Sequence, residues 1–302
     1  MRAAIIFNPA RIRVERLEAI VADRERAEGW EPSLWIPTSI DGDASELVDA
    51  AAAARADVLI AAGGDGTVSE VGAAVVGRGI HFGVVASGTA NLFARNLGLP
   101  VVDTAEAVRV AFAGTPAPVD AVRLDYRLEN GETGERRYLV SAGFGIDADM
   151  VAGSDDQLKR RIGWFAYVGP VVWALRPRRG ALVEVAADGG LPTKQRLHSI
   201  FLGNCELVTG GIRLLPDALM DDGLLNVLAL RDVASWVRRR ALPGFAVDAP
   251  GGTHRNKFRY TTATTVELRF DRSVPFQADG DPIGPVVWAR ATVERHALSV
   301  LT

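Results

Sequence analysis

A chain of 302 residues, 48% hydrophobic and 24% charged, has room for two domains and a sizeable core, and its composition carries no mark of disorder. Its net charge of -3 gives no basis for the basic face that nucleic acid requires, so no nucleic-acid partner is expected. With Cys205 as the single cysteine, a disulfide framework and a multi-cysteine zinc site are excluded.

The chain opens on an apolar run, Ala3 to Phe7, that ends at Asn8-Pro9 and is too short for a signal-peptide core. That run reads as a strand, followed by a helix over Glu15–Glu28, a strand over Ser33–Ile36, a helix over Ser45–Ala54 and a strand over Asp57–Ala62. Beyond the sequence "GGDGT" come a helix over Val68–Val76, a strand over His81–Val85, a helix over Asn91–Leu97 and a helix over Thr104–Ala113. Such alternation predicts a doubly wound, Rossmann-like parallel α/β domain, taken as residues 1–118. Ala113–Asp120, "AGTPAPVD", reads as a linker. After it, strand-like runs at Ala121–Arg127, Tyr138–Gly143, Leu182–Ala187, Ser199–Gly203, Leu224–Leu230, Thr265–Phe270 and Val274–Ala278 predict a C-terminal antiparallel β-sandwich domain, taken as residues 119–290. One helix, Gln157–Leu175, interrupts it. The apolar part of that segment, Gly163 to Leu175, is shorter than the roughly 20 residues a bilayer span needs and is broken by Pro170. A cytoplasmic protein is expected. Lys159, Arg160 and Arg161 ahead of Trp164, Phe165 and Trp173 would suit peripheral contact with the inner face of a membrane, and a helix packed on the β domain would explain them equally well.

Two strand ends carry the chemistry. Gly63-Gly64-Asp65-Gly66-Thr67 follows one buried-looking strand, and Ser87-Gly88-Thr89 follows the next. Glycine there allows a phosphate close to backbone N–H groups, and a helix N-terminus just beyond adds a favourable dipole. Either turn alone could be only a turn; adjacent in a parallel sheet, the pair could line one phosphate cleft. Neither a P-loop nor a complete G-x-G-x-x-G is present, which disfavours a Rossmann dehydrogenase. The four histidines show no spacing that suggests metal or triad chemistry.

"GGDGTVSEV" followed by "GTANLFARNLGLP" resembles the diacylglycerol-kinase-like lipid kinases, a family that includes bacterial diacylglycerol kinases and sphingosine kinases. Asn8-Pro9, Thr38, "LKRRIGWFAYVG", "PDALMDDGLLNV" and "FQADGD" resemble further motifs of that family in order, so the likeness runs along nearly the whole chain. It implies ATP held by Asn8, Thr38, Gly63, Gly64, Asp65, Gly66, Thr67, Ser69, Glu70, Gly88, Thr89 and Asn91, with Asp65 able to hold Mg²⁺ directly or through water. It implies a bracing Mg²⁺ on the Asp222 carboxylate and the carbonyls of Leu219 and Leu224. Asp281 stands where the family has its proton acceptor, and Asp279 would support it by metal or hydrogen-bond contact. The implied reaction is ATP-dependent phosphorylation of a lipid hydroxyl, diacylglycerol-like or sphingoid; a homodimer is a further expectation, and the last strand, about 291–302, would return to the first domain. The sequence departs from the family at "NPARI", Ser69, Leu92 and the short carboxylate of Asp281. Two other readings stay open: NAD kinase, which shares G-G-D-G but not Glu70, "GTANLFAR" or "ADGD", and a non-catalytic lipid- or nucleotide-binding regulator.

Overall fold

Strands buried on both faces need helices on both sides of their sheet, and the first third of the chain supplies them. The computed structural model describes residues 1–39, 42–145, 180–208, 212–231 and 258–302. In chain order come β1 (Arg2–Phe7), α1 (Val14–Glu28), β2 (Glu31–Pro37), α2 (Ala44–Ala53), β3 (Val58–Gly63), α3 (Asp65–Val75), β4 (His81–Ala86), α4 (Leu92–Asn96) and α5 (Thr104–Ala113). The strands run parallel in the order β2–β1–β3–β4, with Ile5 between Trp35 and Ile60. Side chains alternate across this sheet. Ala4 and Ile6 pack with Val48, Val68 and Val71 of α2 and α3, whereas Ile5 and Phe7 pack with Leu17, Val21 and Val108 of α1 and α5. Helix starts follow local chemistry: Asp43 caps α2 by accepting from the Ser45 N–H at 2.8 Å, and Asp103 caps α5 by accepting from Ala105 at 2.9 Å. One boundary differs from expectation. α3 begins at Asp65 rather than Val68, so Gly64-Asp65-Gly66 is the N-cap and first turn of the helix, not a loop before it.

The remaining strands are β5 (Pro116–Leu128), β6 (Thr133–Tyr138), β7 (Ser141–Phe144), β8 (Ala181–Ala187), β9 (Thr193–Leu197), β10 (Ser199–Gly203), β11 (Leu207–Val208), β12 (Ile212–Arg213), β13 (Leu225–Leu230), β14 (Phe258–Ala263), β15 (Thr265–Ala278) and β16 (Asp281–Leu301). They pair antiparallel around a second core that includes Leu124, Tyr138, Ile200, Leu268 and Phe276. The expected plan, an α/β domain followed by a β-sandwich, is therefore present. β16 joins the two halves: Val300 pairs in parallel with Phe82 of β4 and antiparallel with Ala117 of β5. The boundary expected at 290/291 falls inside this strand.

Three expectations need correction. Ala113–Asp120 is not a linker, because β5 starts at Pro116 and pairs with β16 from Leu301 onward. Its prolines are tolerated because β6 joins β5 only from Val122, leaving Pro116 and Pro118 on a stretch paired on one side. Thr265–Phe270 and Val274–Ala278 are one strand, β15, with a register shift between Arg269 and Val274. Tyr138–Gly143 is instead two strands separated at Leu139-Val140. The helix expected over Gln157–Leu175 lies outside the described residues. Among those residues no helix is long and apolar enough to cross a membrane.

Candidate active site

The parallel strands end level with one another, and backbone hydrogen bonds continue past their ends. Thr38 N–H donates to the Phe7 carbonyl at 2.8 Å, Asn8 N–H to Ala62 at 3.0 Å, and Ser87 N–H to Gly63 at 2.8 Å. This brings Thr38, Asn8, the Gly63-Gly64 turn and the Ser87-Gly88 turn into one row at the carboxyl edge of the sheet, where open α/β sheets bind ligands. Asn8 also closes its own loop, its side-chain oxygen accepting the Ala10 N–H at 2.9 Å.

The two glycine turns touch. A Cβ on Gly88 would lie 3.0 Å from the Cα of Gly64 and 2.8 Å from Asn91 Oδ1, so close backbone packing, rather than ligand approach, requires glycine at this position. Asp65 ties the turns together: its carboxylate accepts the N–H of Asn91 at 2.9 Å and of Leu92 at 2.6 Å, the second of these opening α4. Asn91 holds a left-handed conformation, φ 49°, and its amide donates to the Gly88 carbonyl at 2.8 Å. Asp65 thus acts first as an organiser of the second turn. Gly66 is the open position, with nothing within 4 Å of an added Cβ. The free N–H groups of the first turn of α3 lie beside it, as an anion site requires.

These two glycines should therefore respond differently. Gly66→Ala should melt about 0.5–1 kcal/mol more stably, since alanine is the better helix residue, while weakening ATP binding by crowding the turn. Gly88→Ala should lose both stability and ATP affinity. Thermal melts with and without ATP distinguish the two; equal responses would contradict this assignment.

One turn along α3 from Asp65, at Ser69 and Glu70, the helix meets the carboxylates. Asp279 and Gly280 form a two-residue hairpin between β15 and β16, both with positive φ, at 48° and 89°. Asp279 turns its carboxylate away from solvent, accepting the N–H groups of Leu139 at 2.8 Å and of Val140 and Ser141 at 2.9 Å, together with the Ser69 hydroxyl. That grip breaks the strand at Leu139-Val140. Burial pushes Asp279 upward from the ordinary carboxylate range, against the downward pull of these donors. These hydrogen bonds bind the hairpin to α3. Asp281, the next residue but one, meets Arg136 Nη2 at 2.6 Å. The adjoining cleft, about 510 Å³, is lined by Asp43, Glu70, Arg78, Tyr126 and Arg136 among others. Partial burial, then the charge of Asp281, pushes Glu70 above the usual glutamate range, while Arg136 opposes them. Glu70 lines this cleft together with Arg136.

Asp222 Oδ1 accepts the Leu224 N–H at 2.8 Å within the turn expected to bind metal. Burial raises the Asp222 carboxyl, and the charges of Asp120 and Asp221 raise it further. A cation would relieve that crowding, and Asp222 with the carbonyls of Leu219 and Leu224 offers the hard oxygen donors Mg²⁺ takes. Among the described residues no group of three or more His, Cys, Asp or Glu side chains forms a metal cluster. This turn is tied to the rest through Asp120, which is fully buried and accepts the N–H groups of Gly223 and His296, each at 2.7 Å. Asn204 extends the network, donating from its side chain to the Asp120 carbonyl at 3.0 Å and from its backbone to Val140 at 2.9 Å. Val140 is one of the amides on Asp279, so the 219–224 turn and α3 are linked through four residues.

Sequence reasoning missed Arg136, Asp120 and Asn204, none of which sits in a recognisable motif. It also missed Asn96 of α4, whose amide pairs with the Leu207 backbone as a strand would, at 2.9 and 3.1 Å, and so fastens the second glycine turn to the β domain. Cys205 is buried, which pushes its thiol far up and leaves it inert.

Residues 2–124 match the diacylglycerol kinase catalytic domain family, and residues 139–302 match the YegS C-terminal NAD kinase beta sandwich-like domain family. A protein of Bacillus subtilis (strain 168) named "Diacylglycerol kinase" is 30% identical over 305 residues, covering 98% of this chain and 94% of that one. A Pseudomonas fluorescens protein named "Probable lipid kinase YegS-like" is 29% identical across 93% of this chain and 89% of its own. Among solved structures, a diacylglycerol kinase from Bacillus anthracis str. Sterne superposes with a TM-score of 0.73 at 17% identity, covering 99% of this chain and 96% of that one. An NAD kinase from Archaeoglobus fulgidus, solved in complex with ATP, shares the fold more distantly, with a TM-score of 0.53 at 12% identity over 100% of this chain and 94% of that one.

Proposed function

The chain belongs to the diacylglycerol kinase-like family of lipid kinases, and on that premise we propose that it transfers the γ-phosphoryl group of ATP to a hydroxyl of a diacylglycerol-like or sphingoid lipid. One observation carries this reading: α3 begins at the open phosphate turn and, at Ser69, bonds the hairpin that presents Asp281. Donor turn and acceptor carboxylate are thereby mounted on one helix, with Asp65 and Ser69 about 6 Å apart along its axis.

In this reading the ATP phosphates lie against the first-turn N–H groups of α3, near Asn8, Thr38 and the exposed Thr89. The proton of the lipid hydroxyl passes to Asp281 as the oxygen attacks the γ-phosphorus, and the bond to the β-phosphate oxygen breaks, leaving ADP. Such a transfer asks mainly for positioning and charge neutralisation, which the fixed amides supply. Asp222, with the Leu219 and Leu224 carbonyls, would hold Mg²⁺ and stiffen the turn that Asp120 grips. A lipid acceptor brings the protein to a membrane surface, so peripheral contact belongs to the same proposal.

The test is product identity. With Mg²⁺ and ATP, offered dioleoylglycerol, sphingosine and NAD separately, the protein should yield a phosphorylated lipid by mass spectrometry and no NADP. NADP without a lipid product would replace this reading with NAD kinase.

A further inference from the structure

Arg136 stands where a general base would need a partner. Its guanidinium holds Asp281 Oδ2 at 2.6 Å, with the two side chains 31% and 40% exposed. Neighbouring Arg137 cannot take its place, being engaged by Glu294 through two hydrogen bonds of 2.6 and 3.1 Å. Arg78, the other cation of the cleft, is paired with Asp49. Among the described residues, the acidic side chains lining the cleft are Glu70 from α3, Asp43 from the cap of α2, Asp279, and Glu135 of β6, which already meets Arg137.

We propose that Arg136 is the positioning residue for the acceptor carboxylate, fixing Asp281 through Oδ2 so that Oδ1 is left to take the substrate proton. This rests on the kinase reading above. In the step it serves, the acceptor O–H bond breaks with its proton going to Asp281, the new bond to the γ-phosphorus forms, and the electron pair of the broken bridging bond leaves with ADP. Arg136 sets the orientation of the Asp281 carboxylate before the proton arrives, and Glu70 lines the same cleft as Arg136.

An ordinary surface ion pair would change stability slightly and nothing else. The positioning role predicts opposite shifts. In pH-rate profiles of ATP-dependent phosphorylation of dioleoylglycerol or sphingosine, Arg136→Ala should move the acid limb of kcat to higher pH by about one unit and lower the plateau on the order of tenfold or more. Glu70→Gln should move the same limb to lower pH. Arg136→Lys should keep the limb near its wild-type place while losing part of the plateau, and it serves if the alanine variant fails to fold. KM for ATP should be unchanged in all three. A carbon-13 titration of the Asp281 carboxyl in the free protein should show the same two directions. Wild-type transfer with an acid limb unmoved by Arg136→Ala or by Glu70→Gln would overturn this inference alone. A wild-type protein that phosphorylates no lipid would overturn the kinase reading, and the inference with it.

Discussion

Asp281→Asn should reduce phosphoryl transfer by about 10²–10⁴-fold while leaving ATP affinity and melting temperature close to wild type. Asparagine keeps the size and one acceptor oxygen of aspartate but takes up no proton at neutral pH, so it removes the base and little else. The side chain is partly exposed and its ionic partner among the described residues, Arg136, lies near the surface, so its loss costs the fold little. ATP affinity should persist because the phosphate turn is built from α3, Asp65 and Gly88, none of which depends on Asp281. Activity that survives Asp281→Asn within a factor of a few would remove this residue from the proton-accepting role. Asp281→Glu, which keeps a carboxylate one methylene further along, should retain most of the wild-type rate.

Asp279→Ala should act mainly on the fold. The carboxylate accepts three backbone N–H groups and the Ser69 hydroxyl, so truncation leaves several donors without partners at the junction of β6, β7 and α3. Each buried donor left unpaired costs about 1–3 kcal/mol, and alanine adds about 1 kcal/mol for the left-handed conformation that Asp279 adopts at φ 48°. Asp279→Gly removes the carboxylate without that backbone penalty, so the difference between the two variants measures the conformational part. Denaturant unfolding should place both well below wild type, with glycine the milder. Melting near wild type for either variant would mean the amide grip contributes little.

Much of the α/β half was legible because its signals are local. Buried six-residue strands, aspartate caps and a glycine at each critical strand end are read within a few positions. The hairpin at "ADGD" was equally legible, since Asp-Gly suits a turn with two positive φ angles. What failed was non-local. Arg136 reaches Asp281 across 145 residues, and no pattern in "GERRY" distinguishes it from Arg137, which serves Glu294 instead. Asp120 looked like the end of a proline-rich linker because the partner strand that orders it, β16, lies at the far end of the chain. The place of Asp65 in the glycine motif points to the nucleotide site, but not to the hydrogen bonds that its oxygens accept from the N–H groups of Asn91 and Leu92. The break at Leu139-Val140 is likewise imposed by Asp279 from a distant hairpin, against the strand preference of its own apolar run.

The lipid-kinase account is tested most directly by transfer of γ-³²P from ATP to lipid, run on the wild type and Asp281→Asn side by side with diacylglycerol and sphingoid acceptors. It predicts radiolabelled lipid from the wild type, dependent on Mg²⁺, and label reduced by about a hundredfold or more in the variant. A wild-type protein that binds ATP yet labels none of these lipids would contradict it.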